Sequence, residues 1–212
     1  MARVSNPAAK PGDPATRLIG YLIRNKHWSP FEMANMCLKI DTTRDIARQI
    51  LRHRSFHFQE FSQRYAEVEQ DRPIIREART QDTKNRQNSF ATTDASLSDA
   101  FSFWQNKVWD VCWGAYQACL KLGIAKEVAR ALLPEGLTST RMYMNGTIRD
   151  WLHYLAVRLE AGTQLEHRQV AEQVLEQLQQ SCPGIVSAAR EAGLLPPSVK
   201  VKNDTAIDYA TA

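Results

Sequence analysis

From residue 97 to residue 122 apolar side chains return every three or four positions, with Leu97, Phe101, Trp104, Val108, Val111, Ala115 and Cys119 tracking one broad face. Gly123 follows where a helix would stop. The period is that of a helix, so the chain is committed to one long helix whose apolar face must be covered, and the aromatic stripe is read as core. Shorter patterns agree with a helix-rich fold. Residues 16–25 carry Leu18, Leu22 and Ile23 at helical spacing and are closed by His27-Trp28-Ser29-Pro30, since proline disfavours helix in the residue before it. Residues 126–133 form a second helical pattern ending at Pro134, and 147–159 and 166–182 read as further helices.

Strand signals are fewer. Over 35–40, Met36, Leu38 and Ile40 alternate with Asn35, Cys37 and Lys39, the pattern of a half-buried strand, and 138–145 reads as another. Residues 41–45 supply helix-start side chains, with Thr42 and Asp45 spaced as a capping box, and the helix they launch is expected to run to about Arg54. The polar, aperiodic stretch over 72–96 predicts an extended surface loop of the kind that often covers a binding site. With no internal repeat, the fold class is α+β, a single helix-rich domain with a small sheet over 1–193. A flexible tail is expected over 194–212, where Pro196-Pro197 precedes few apolar anchors.

A chain of 212 residues with 43% hydrophobic content can bury a real core. Its net charge of +4 favours anionic ligands but falls short of a dedicated nucleic-acid binder, and phosphorylated metabolites suit it equally well. The start lacks an apolar signal region, and no stretch reaches the roughly 20 apolar residues of a membrane span, so a cytoplasmic location without a membrane partner is expected. Cys37, Cys112, Cys119 and Cys182 form no CxxC pair and have no histidine at ligand spacing, so buried reduced thiols are expected, with no metal site.

Arg52-His53-Arg54, followed after seven residues by Ser62 and then Arg64-Tyr65, is the densest polar constellation in the sequence. Packing cations this closely costs repulsion unless an anion or carboxylates neutralise them. Helical spacing groups Gln49, Arg52 and His53 at the end of the helix launched at 41–45. If the next stretch is extended, Glu60, Ser62 and Arg64 alternate onto one side and offer an acceptor, a hydroxyl and a guanidinium fork, a set that suits a nucleoside monophosphate. On a generic helix Arg44, Arg48 and Arg52 would be a solvated basic face.

The run from Arg52-His53-Arg54 through Ser62 to Arg64-Tyr65 resembles the signature of the flavin-dependent thymidylate synthases. Ala2-Arg3-Val4-Ser5, His27-x-Ser29-Pro30-Phe31-Glu32, Ala129-Arg130-x-x-Leu133-Pro134 and Arg149-x-x-x-His153-x-x-x-x-Arg158 stand in that family's order and carry the resemblance to about Pro183. It implies that family's fold, a homotetramer with active sites at subunit junctions, and reductive methylation of dUMP to dTMP. FAD is the implied cofactor, with 5,10-methylenetetrahydrofolate and NADPH as co-substrates and no cysteine nucleophile.

Position by position, the resemblance implies that Ser62 and Arg64, with the backbone near Phe61 and Gln63, grip dUMP. Glu60 flanks them, and Gln49 and Arg130 reach dUMP from a neighbouring subunit. Arg158 is implied to bind the uracil carbonyl side and, with Ser62, to carry catalysis by stabilising charge developing on the ring. Ser5, His27, Ser29, Glu32, Arg52, His53, Arg54, Ser55, Arg149 and His153 are implied to line FAD. Arg149 and His153 share a helix face, whereas Arg158 lies about half a turn away on the helical wheel. The chain departs from the family at His57, Gln59 and Met33, and Met1 directly precedes the Ala-Arg-Val-Ser motif where relatives carry a further edge strand. Two other classes are weighed: a catalytically impaired nucleotide-binding relative, and a basic nucleic-acid-binding protein using the cluster from Arg44 to Arg64, which salt would release steeply.

Overall fold

The helices stand close to where apolar periodicity puts them, and their ends are set by caps. The computed structural model describes Arg3 and residues 15–197. Ser5, one of the implied FAD contacts, and 198–212, most of the expected tail, lie outside the described residues. In chain order the elements are α1 (Ala15–Arg24), a 3-10 turn (Ser29–Met33), β1 (Asn35–Thr43), α2 (Arg44–Ile50), β2 (His57–Glu60), β3 (Arg79–Gln81), β4 (Ser89–Ala91) and α3 (Ala95–Lys121). There follow α4 (Lys126–Ala129), a second 3-10 turn (Arg130–Leu132), β5 (Ser139–Thr147), α5 (Ile148–Arg158), α6 (Leu165–Ser181) and α7 (Pro183–Glu191). One sheet has the strand order β1-β5-β2, and β3 and β4 form a second, antiparallel pair with Thr80 opposite Phe90.

Contacts divide the chain into two compact units. Of the described residues, the first holds those up to Leu38, His53–His57 and those from Met144 onward; the second holds Lys39–Arg52 and Phe58–Tyr143. In the first unit α1 lies against α7, α6 against both α5 and α7, and α5 against the turn at Ser29–Met33. Trp151, Leu152, Leu155, Ala171, Leu178 and Val186 are its centre, all buried. Burying each such large apolar side chain stabilises by about 1.5–3 kcal/mol. α5 starts on a full capping box: Asp150 N donates to Thr147 Oγ1 at 3.2 Å while Thr147 N donates to Asp150 Oδ2 at 2.9 Å. The Trp151 indole Nε1 donates to Met36 O at 3.0 Å, so even the polar atom of the largest core residue is satisfied.

In the second unit Val68, Tyr116, Ala129 and Leu133 form a buried cluster with Trp113 and Leu120 packed against it. The Tyr116 hydroxyl accepts a bond from Val68 N at 3.1 Å. α3 is capped by Asp94, whose side chain accepts from Ser96 N and Leu97 N. It ends as expected at Gly123, where φ is +80° and Ile124 N returns to Cys119 O at 3.0 Å.

Four sequence expectations are corrected. Residues 41–43 belong to β1, so Thr42 caps nothing; Thr43 precedes α2 without capping its backbone, and α2 stops at Ile50 rather than near Arg54. The extra strand residues are held by pairing partners elsewhere in the fold, which a local window does not register. The 72–96 segment is not loop throughout but contains the β3–β4 pair, whose connection is tightened by Asp82 Oδ1 accepting from Lys84 N at 2.8 Å. None of the four free cysteines is buried, and Cys37 is exposed on β1. The fourth concerns the long helix: α3 buries Gln105, Trp109 and Tyr116, while Phe101, Trp104, Val108 and Val111 of the expected core stripe are exposed, Trp104 at 61%. Gln105 takes a core position because its amide brackets the backbone of Arg76, accepting from Arg76 N at 2.9 Å and donating to Arg76 O at 3.0 Å.

Candidate active site

In the first unit, the segment carrying His53, Arg54 and Ser55 is a turn in which Phe56 N donates to His53 O at 3.2 Å. Phe56 anchors it. Its ring packs edge-on to Trp151 at 4.8 Å and sits over Gly146, where a Cβ would lie 2.5 Å from the ring. Only a glycine leaves room for that ring without a shift. His53 is thereby held edge-on to Tyr154 at 4.9 Å, and the Arg158 Nε donates to His53 Nε2 at 2.9 Å. Arg158, half a turn from Arg149 on the wheel, thus lies on the His53 side of α5.

The other face of α5 carries Arg149 and His153. The Arg149 Nη1 donates to the Glu32 carboxylate, and His153 lies edge-on to Trp28 at 4.5 Å. Desolvation, and after it the Arg149 charge, holds the His153 pKa below the ordinary histidine value. His27, Ser29, Arg54, Ser55 and His153 are exposed, while Glu32, His53 and Arg149 are half-buried. The set is rich in N–H and O–H donors and in guanidinium charge, and it is open to solvent. That chemistry fits a cofactor with a diphosphate and a ring edge of hydrogen-bond acceptors.

In the second unit β2 ends at Glu60, and Ser62 opens a turn in which Tyr65 N and Ala66 N both donate to Ser62 O. Glu60, Ser62 and Arg64 therefore do not alternate along one extended face, which corrects that expectation. Glu60 points to Thr140 Oγ1, which donates to it at 2.9 Å, and to the buried Arg44, 3.4 Å away. Burial pulls the Arg44 pKa down, and the Glu60 carboxylate opposes the shift. His57 and Gln59 are exposed and alternate with Phe58 and Glu60, as expected.

Ser62, Arg64 and Arg130 are linked around Glu127. The Ser62 Oγ accepts from Arg64 N at 3.4 Å, the Arg64 guanidinium lies 3.4 Å from the Glu127 carboxylate, and Arg130 Nε donates to Glu127 O at 3.3 Å. Arg64, Tyr65, Lys126 and Glu127 help line an open cleft of about 530 Å³. Gln63 is buried at 3% exposure, and its Nε2 has no hydrogen-bond partner among the described residues. Phe61 is exposed, its N donating to Arg141 O at 2.8 Å; Gln49 is half-buried at the end of α2, and Arg52 is an exposed turn residue past it.

The basic-face reading of Arg44, Arg48 and Arg52 fails on α2. Arg44 is buried against Glu60, and Arg48 donates to Glu135 Oε1 at 2.9 Å. Glu127, Tyr154 and His167 were not singled out from the sequence. A histidine spaced among Val170, Ala171 and Val174 on an amphipathic helix was the signal for His167. Among the described residues no group of three or more His, Cys, Asp or Glu side chains could hold a metal ion, and no helix is long and apolar enough to cross a membrane.

Comparison with known proteins gives concordant matches. Residues 1–184 match the family model described as thymidylate synthase complementing protein. A probable flavin-dependent thymidylate synthase of Paramecium bursaria Chlorella virus 1 is 48% identical over 188 residues, 88% of this chain and 86% of that one. A flavin-dependent thymidylate synthase of Synechocystis sp. is 49% identical over 170 residues, 80% and 77% of the two chains. Among solved structures, a UMP/dUMP methylase, PolB, from Streptomyces cacaoi bound with 5-Br dUMP superposes with a TM-score of 0.79 at 26% identity, over 90% of this chain and 85% of that one.

Proposed function

This chain belongs to the flavin-dependent thymidylate synthase family, and from that premise we propose which of its residues perform the reductive methylation of dUMP to dTMP. It is an FAD-dependent methyltransferase that takes its carbon from 5,10-methylenetetrahydrofolate and its reducing equivalents from NADPH. The observation that carries the site reading is that Ser62 Oγ accepts from Arg64 N while the Arg64 guanidinium faces the Glu127 carboxylate on the lining of an open cleft, which places a hydroxyl beside a guanidinium. Ser62 and Arg64, with the backbone at Phe61 and Gln63, hold dUMP, and Gln49 and Arg130 reach it from a neighbouring subunit. Glu60 acts indirectly, keeping Arg44 charged in a buried place. His27, Ser29, Glu32, Arg52, His53, Arg54, Ser55, Arg149 and His153, with Ser5, hold FAD. When bound and reduced, FAD supplies the hydride.

Arg158 binds the carbonyl side of the uracil and stabilises negative charge that develops on the ring, a role suited to a permanently protonated side chain. The protein otherwise binds and orients. No cysteine is asked to attack the ring. The exposed stripe of Phe101, Trp104, Val108 and Val111 supports a homotetramer, since an apolar face of that kind is more stable covered by another copy. We place the enzyme in the cytoplasm, with the catalytic domain over 1–193 and a tail over 194–212.

Flavin absorbance tests the reading. Purified protein should absorb at about 450 nm, and dUMP should perturb that band. Ser62→Ala should weaken dUMP binding, and Arg158→Ala should abolish dTMP formation with FAD still bound. An unchanged dUMP dissociation constant in the first variant, or full turnover in the second, contradicts the roles assigned.

A further inference from the structure

We propose that His53 is a positioning residue for Arg158: its Nε2 accepts the Arg158 Nε–H and fixes the guanidinium, leaving both Nη groups to face the substrate. The inference rests on the reading of Arg158 given above. An arginine side chain carries about 2 kcal/mol of rotamer entropy, and a guanidinium free to wander stabilises developing charge poorly because catalysis by charge depends on preorganisation. A bond to Nε restrains the plane of the fork without occupying its two outer nitrogens.

The chemistry of the pair fixes its protonation. Arginine stays charged and can only donate, so His53 must present a lone pair at Nε2 and carry its proton at Nδ1. A second proton on His53 would break the bond and set two cations against each other.

Groups facing His53 among the described residues include Arg158 and the Tyr154 ring from α5, the His167 ring from α6 at 6.2 Å, and Phe56 from its own turn, with Arg52 and Arg54 beside it in the chain. His167 is fully buried, and desolvation, then the Arg158 charge, lower its pKa to about 3. Burial raises the Tyr154 pKa, so its hydroxyl stays neutral as well.

The test compares holoenzyme carrying His53→Ala, His53→Gln and Arg158→Ala with the unaltered protein at saturating FAD. In ¹⁵N-edited NMR the Arg158 Nε–H should exchange slowly with solvent in the unaltered protein and rapidly in His53→Ala. His53→Ala should lower kcat by about 100-fold, the scale of a misplaced catalytic group, while the dUMP KM changes far less. His53→Gln, whose amide oxygen can accept the same bond, should keep the Arg158 Nε–H exchange slow, a readout that loss of a flavin contact alone does not move. Unchanged Nε–H exchange in His53→Ala, or exchange as rapid in His53→Gln as in His53→Ala, overturns the proposal; the glutamine variant decides if the alanine variant does not fold. Full turnover by Arg158→Ala would remove the role of Arg158 and this inference with it. An inactive Arg158→Ala beside a fully active His53→Ala would overturn the positioning alone.

Discussion

α5 and α3 are both capped helices with apolar stripes, and their stripes meet opposite fates. α5 buries Ile148, Trp151, Leu152, Tyr154 and Leu155, which leaves Arg149, His153 and Arg158 on the remaining surface. α3 buries little beyond Gln105, Trp109 and Tyr116 and exposes Phe101, Phe103, Trp104 and Val111. Helical periodicity therefore says that a face will be covered but not by what. On α5 the cover is the protomer's own helix α6; on α3 the surface is left for a second copy under the tetramer reading.

The sharpest way to break the contrast is Trp151→Ala. It removes the largest fully buried side chain of α5 and its bond to Met36 O, and should cost about 4 kcal/mol in denaturant unfolding. A loss near zero would mean that α5 is no better covered than α3.

Next in size is a pH effect confined to the α5–α6 side. His167 is held to a pKa of about 3 in the folded protein against an ordinary 6.5. Below 6.5 the unfolded chain takes up a proton that the folded one refuses, so stability present above that pH is lost as pH falls toward 3. The loss between neutrality and mild acid should approach about 3 kcal/mol, and His167→Phe should flatten that slope in thermal melts. Equal slopes in the two proteins would remove this account.

The caps give a smaller comparison. Thr147→Ala should destabilise by about 1 kcal/mol, since it dismantles a reciprocal box, whereas Asp94→Ala at the exposed start of α3 should cost less. Thermal unfolding of the two variants side by side decides it. Smallest for the protomer is Trp104→Ser, which should alter folding stability by under about 0.5 kcal/mol yet shift the assembly to smaller species in light scattering. An unchanged assembly size would mean that the α3 stripe is not where copies meet.

Much of the fold was legible locally. The helices over α1, α3, α5 and α6, the Gly123 stop and the cores of β1 and β5 follow from side-chain period and from capping chemistry, both of which act within a few residues. α7 was not read, although Pro183 opens it, because its short apolar pattern takes its meaning from α1, which packs on it. The site was legible only in part. Arg52-His53-Arg54, Ser62 and Arg64 stood out as charge crowded into one stretch, and the resemblance gave them roles. Glu127 did not stand out, since a glutamate beside a lysine is ordinary until Arg64 arrives from 63 residues away.

By itself the sequence determined the helical and strand periods, the reduced cysteines' lack of metal spacing, and the motif order that marks the family. Tertiary structure alone decided that 41–43 extend a strand, that Ser62 opens a turn, and that Arg158 rests on His53 across 105 positions of chain. The reason is range: dihedral preference and side-chain spacing act between near neighbours, whereas burial and ion pairing depend on which distant surface is brought alongside.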